Sequence, residues 1–167
     1  MTIHVNEIQK FIGKPIRDAY GRYLGHLVGV SAGVGGKLSS IGVDQGDGNF
    51  VEYDQSRVSL DGDSLVILPE WKVEVENFKR DSISAKRRLE ALDELFDSGE
   101  VAPDVHEELH RHYMEIYDRL QGVRKALVDK VRRRIESLDA QIRRIRRYLG
   151  DLKVQYKAGE LGGDVYN

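Results

Sequence analysis

Asp61-Gly62-Asp63-Ser64-Leu65-Val66-Ile67-Leu68-Pro69-Glu70-Trp71-Lys72 is where this 167-residue chain changes its hydrophobic period. Asp61-Gly62-Asp63 has the composition of a hairpin turn, with a glycine able to take the backbone conformation such turns need. Ser64 to Leu68 is a β-rich run. Pro69 ends it, because proline has no N–H to donate to a ladder. Beyond Trp71 the apolar residues stop alternating and recur three and four apart, the period of a helix. The junction therefore predicts an α+β chain in two parts, a small β domain over residues 1–72 and a helical domain over residues 73–167. Glycine usage changes at the same point, with 11 of the 17 glycines before Trp71.

Upstream of the junction, short apolar runs alternate with turn residues. Lys14 to Ala19 reads as a strand and Tyr20-Gly21-Arg22 as a turn. Tyr23 to Ser31 is a second strand, Gly33 to Gly36 a loop, and Leu38 to Val43 a third strand. Gln45 to Asn49 is a turn before the strand Phe50 to Tyr53. Val5 to Ile12 carries apolar residues at 5, 8, 11 and 12, enough for a turn or two of helix. Five or six short strands in about 70 residues predict a small closed barrel, since closure removes exposed edges. Gly33, Gly35 and Gly36 do not make a phosphate loop: no Lys-Ser/Thr follows them, and they lead into a strand.

Downstream, Val75, Phe78, Ser82, Ala85, Leu89, Leu92 and Phe96 step alternately three and four residues, a heptad seam over a helix at about 74–97. Ser98-Gly99 stops that helix, and Pro103 suits the first position of the next, where its missing N–H costs nothing. Gly99 and Pro103 thus predict a hairpin turn. The second helix, about 104–157, carries a seam from Leu109 to Tyr156 with a stutter near Leu127, and at 1.5 Å per residue it is about 80 Å long. The first helix is half that length and covers only its first half. Val131, Ile135, Leu138, Ile142, Ile145 and Leu149 are therefore left as a bare stripe that needs a partner chain, which predicts a homodimer. Residues 92–106 are echoed at an offset of 60 by residues 152–166, helix end, Gly-Glu turn and helix start alike. The second copy stops at Asn167, where a third helix should begin, so the chain reads as cut short.

Charge is distributed in blocks. Residues 89–120 hold 2 basic and 10 acidic side chains, while residues 121–157 hold 12 basic and 4 acidic, so a formal net charge of −2 conceals blocks of −8 and +8. The acidic block suits the basic block of a second copy, and the basic block equally suits phosphates. Projected at 100° per residue, Arg132, Arg134 and Arg146 flank the seam. Arg133, Arg144 and Arg147 point away from it, as candidates for phosphate contacts of DNA or anionic lipid. The competing reading is a solubilising face.

The same residues exclude several chemistries. No apolar stretch reaches 18 residues, the N-terminal segment lacks the pattern of a secretory signal, and the chain has no cysteine. A cytoplasmic location is the expectation from these features. His106-Glu107-Glu108-Leu109-His110 matches the H-E-x-x-H pattern of zinc proteases, but it opens an exposed helix whose seam uses Leu109, and no third ligand accompanies it. No nucleophile, base or metal set converges, so neither an enzyme nor a cofactor is expected.

Ile12-Gly13-Lys14-Pro15-Ile16-Arg17-Asp18-Ala19-Tyr20-Gly21-Arg22-Tyr23-Leu24-Gly25 resembles the opening of a PRC-barrel domain. The Pro69-Glu70-Trp71-Lys72 exit, the Leu-Phe-x2-Gly-Glu-Val turn and the ending Tyr156-Lys157-Ala158-Gly159-Glu160-Leu161 resemble the archaeal CdvA cell-division family. The resemblance implies a PRC-type β-barrel followed by a helical hairpin and a long coiled-coil helix. It also implies a non-enzymatic, filament-forming scaffold at the division site on the inner face of the membrane, with DNA association. The ESCRT-III homologue is the partner it implies, through a C-terminal segment with no counterpart in these 167 residues. The alternative is a nucleic-acid-binding coiled-coil protein that works through the basic half of the long helix.

Overall fold

A computed structural model of the chain describes residues 2–166. A short helix, α1 (Val5–Ile8), opens it, with the His4 N–H donating to Glu7 Oε2 at 2.8 Å. Six strands follow: β1 (Pro15–Asp18), β2 (Tyr23–Ala32), β3 (Leu38–Asp44), β4 (Phe50–Asp54), β5 (Val58–Asp61) and β6 (Ser64–Ile67). They form one sheet in the order β4-β3-β2-β1-β6-β5, in which β1 and β6 are parallel and all other neighbours antiparallel.

The expected closed PRC-type barrel is corrected here to an open sheet, because no ladder joins the edge strands β4 and β5. The three residues between them, Gln55–Arg57, form a tight 3-10 turn. Asp54 Oδ1 accepts the Ser56 N–H at 2.8 Å and fixes its start. Arg57 then ties the chain to the end of β6: its carbonyl accepts the Leu68 N–H at 2.7 Å and its Nε donates to Leu68 O at 2.9 Å. The backbone thus turns from one edge to the other without pairing. Both edges still deliver side chains, Tyr53 and Val58, to one core with Ile8, Phe11, Ile16, Leu27, Leu38, Ile41, Val43, Leu65 and Ile67. β5 is a strand that the pattern of apolar runs did not single out.

Two long helices follow, α2 (Glu70–Asp97) and α3 (Pro103–Lys157). α2 begins at Glu70 and not near residue 74. Pro69 stands immediately before its first turn, and the Pro69 carbonyl accepts the N–H groups of Lys72 and Val73 at 3.1 and 3.4 Å. Trp71 therefore belongs to the helix. The hairpin interface is thin: Ala85, Leu92 and Leu127 are its buried apolar residues, and Val75, Phe78 and Leu89 are half-buried. Lys130 fastens the open end, with Nζ 2.9 and 2.8 Å from the two carboxylate oxygens of Glu74 and 3.7 Å from Glu70 Oε2.

Gly99, at φ +78°, closes α2: its N–H bonds Phe96 O at 3.0 Å and the Glu100 N–H reaches back to Leu95 O at 2.9 Å, a Schellman turn. The 60-residue echo repeats this geometry. Gly159 also has φ +78°, its N–H bonds Tyr156 O at 3.1 Å, and the Glu160 N–H bonds Gln155 O at 2.9 Å. A helical turn, α4 (Gly163–Tyr166), then starts where the echo predicts one. Asn167, which follows the repeat, lies outside the described residues.

Candidate interaction surfaces

α2 spans 28 residues and α3 spans 55, about 40 and 80 Å at the α-helical rise, so α2 runs out where α3 reaches Lys130. Beyond that point the apolar stripe is uncovered. Ile135 is 54% exposed, Ile142 46%, Ile145 57% and Leu149 53%, values expected of surface residues and not of a packed heptad. Leu138 and Leu152 are exposed too, and Val131 is half-buried at the start of the stripe. The stripe leads directly into an apolar groove of about 430 Å³ between the helices, floored by Val75, Phe78, Leu127 and Val131, with Lys79, Arg124 and Arg132 among its lining.

The outward arginines fall in two places. Arg144 and Arg147 are exposed and form no ion pair. Arg133 sits elsewhere: with Arg134 it lines a cleft of about 820 Å³ between α3 and the sheet, opposite Asp18, Tyr20, Arg22 and Trp71. The helical projection puts Arg133 on the face away from the seam but is silent on what that face meets. Only the folding of the sheet against the start of α2 puts the β domain there.

Charges inside this cleft are not balanced. Asp18 accepts from Arg22 Nε at 2.8 Å, and Glu70 pairs with Lys130. Arg57 donates to a backbone carbonyl and lies over the Tyr53 ring, 5.0 Å from its centroid. Arg57, Arg133 and Arg134 therefore face the cleft without a carboxylate partner.

At the opposite end of the hairpin the charge is reversed. His106 lies against Phe96, ring centroids 4.3 Å apart, and its Nε2–H donates to Asp93 Oδ1 at 2.9 Å. That bond and the Phe96 contact give His106 a structural task in closing the turn. Among the described residues no group of three or more His, Asp and Glu side chains comes together as a metal site. Glu94, Asp97, Asp104 and Glu108 around the turn are exposed and carry no ion pair, and Leu95, Phe96 and Val105 are exposed beside them. Among the described residues no helix is long and apolar enough to cross a membrane.

A small β domain bearing a helical hairpin, with one helix continuing as a heptad-patterned rod, defines a coiled-coil protein. Residues 70–167 match the family model of the CdvA-like coiled-coil domain. The chain is also 30% identical over 161 residues to Cell division protein A of Sulfolobus acidocaldarius, an alignment covering 96% of this chain and 67% of that protein. It belongs to the CdvA-like family and is a homologue of a cell-division protein. No solved structure matches the chain.

Proposed function

We propose that this chain serves cell division as a non-catalytic scaffold that self-associates through the bare stripe of α3 and builds filaments. The observation that carries this is the exposure of Ile135, Ile142, Ile145 and Leu149 at heptad spacing on a helix with no intramolecular cover there. Six such side chains on each of two copies, at about 1 kcal/mol for each half-exposed residue covered, are enough to offset the lower part of an association cost of roughly 4–15 kcal/mol. The work is proposed to take place at the division site, on the inner face of the membrane, as the family suggests. Recruitment of an ESCRT-III homologue is assigned to no residue among these 167. The test is sedimentation and electron microscopy of the purified chain. Wild type is expected to form dimers and filaments, and Ile135→Asp with Ile142→Asp to yield monomers. Dimers that survive both aspartates refute the seam.

The exposed, unpaired Arg144 and Arg147 favour a second reading, in which the outer face of the rod binds the phosphates of DNA. Binding to duplex DNA is then expected to weaken steeply with salt and to fall when both are changed to Glu, without regard to base sequence. Anionic vesicles run in parallel separate a lipid surface from nucleic acid.

A further inference from the structure

We propose that the cleft between the sheet and α3 is the socket for the hairpin tip of a second copy, and that this head-to-tail contact extends dimers into a polymer. The inference deepens the self-association reading and rests on it, but uses a cleft that shares only Arg134 with the flank of the seam.

The first reason is charge. The cleft has its two carboxylates already engaged, Asp18 by Arg22 and Glu70 by Lys130, which leaves Arg57, Arg133 and Arg134 to meet an anion. The tip has the converse arrangement, with Glu94, Asp97, Asp104 and Glu108 exposed and unpaired. Opposite potentials of this kind steer encounter and fix register.

The second reason is shape and apolar content. The tip is the convex end of a two-helix hairpin and exposes Leu95, Phe96 and Val105. The cleft is concave, about 820 Å³, and has Leu24, Tyr53, Ile67, Pro69 and Trp71 in its walls. An acidic apolar knob thus faces a basic apolar socket.

The third reason is distance. The cleft lies at the Glu70 end of α2 and the tip at its Asp97 end, about 40 Å apart at 1.5 Å per residue. A chain cannot fill its own socket, so the contact is between molecules. It joins two different patches, and an interface of that kind propagates unless a rotation closes it into a ring.

Sedimentation velocity at low salt tests the proposal. Wild type is expected to form species larger than a dimer that shrink to dimers as ionic strength rises and the charges are screened. Arg133→Glu with Arg134→Glu is expected to raise the concentration for half-assembly by at least about tenfold, since like charges then meet across the contact. Glu94→Lys with Asp97→Lys and Asp104→Lys is expected to do the same. Mixing the two variants should restore assembly, because each supplies the complement of the other. All five residues are exposed, and circular dichroism melts check that both variants fold. A wild type that never exceeds a dimer, an Arg133→Glu/Arg134→Glu variant that assembles normally, or a mixture that fails to recover overturns the socket. Loss of DNA binding with assembly unchanged also overturns it, by giving these arginines to nucleic acid. Failure of the seam reads differently: it shows as a wild type that is monomeric at high salt, where the tip contact is screened.

Discussion

Gly25 is the third glycine of the stretch from Ile12 to Gly25, and its necessity is steric. Its φ is +147°, and a Cβ added there would land on the carbonyl of Asp44 in the neighbouring strand. Gly25→Ala is expected to destabilise the β domain by at least about 3 kcal/mol, as backbone strain adds to displacement of β3, measured by urea unfolding. Ser82 fails in the opposite sense. It sits in the α2 seam with a buried hydroxyl that has no hydrogen-bond partner. Ser82→Ala removes that unmet polar group, so the chain should gain about 1 kcal/mol and melt roughly 3 °C higher. Asp18 anchors the turn after β1. Burial pushes its pKa up, but the N–H groups of Arg22 and Tyr20 and the Arg22 guanidinium outweigh this and hold it below 3.8. A carboxylate with a lowered native pKa stabilises the fold above its unfolded value, and that contribution is lost as pH falls through the native value. Unfolding titrations below pH 4 should therefore steepen the loss of stability in wild type, and Asp18→Asn should flatten that limb while costing stability at pH 7.

The hairpin turn and its echo show how much of an element is set locally. Both turns place glycine at φ +78°, and both close with the same pair of backbone hydrogen bonds. Left-handed backbone disfavours any side chain with a Cβ, so Gly99→Ala is expected to cost about 1 kcal/mol. The hairpin itself should persist, because α2 and α3 remain fastened by Leu92, Leu127 and the Lys130–Glu74 pair. Spin labels at positions 85 and 116 report this: an unchanged distance is the expected result, and a large increase would mean that the turn alone holds the helices together.

For the whole molecule, charge bears on the direction of the pair. A parallel, in-register dimer sets the +8 block of residues 121–157 against its own copy along about 55 Å of rod. An antiparallel pair over residues 131–156 meets the same basic overlap, but it keeps the apolar stripe covered and puts the two −8 blocks of residues 89–120 at opposite ends, where a parallel pair sets them side by side. Single exposed pairs contribute little, about 0–1 kcal/mol, but the repulsion avoided is between two whole acidic blocks. In that arrangement residue 135 opposes residue 152. A mixture of Ile135→Cys and Leu152→Cys chains should therefore cross-link readily under oxidation, and Leu152→Cys alone should not. Ready linkage between two copies at 152 would establish the parallel pair.

The sequence by itself determined most of the elements and their ends, though not β5 or the start of α2 at Glu70. Period-two runs, heptad steps, Pro69, Gly99 and Pro103 are local signals, because capping, proline geometry and left-handed glycine act over a few residues. The uncovered stripe was legible for the same reason: it follows from two helix lengths. The arrangement of the sheet was not. Whether β4 meets β5 depends on how a three-residue turn and the Arg57–Leu68 bonds aim the chain, which no apolar pattern encodes. Nor could helical projection tell that Arg133 and Arg134 face a cleft and not open solvent. A helical wheel gives direction around one axis, and what lies in that direction is decided by the packing of residues more than 60 positions away.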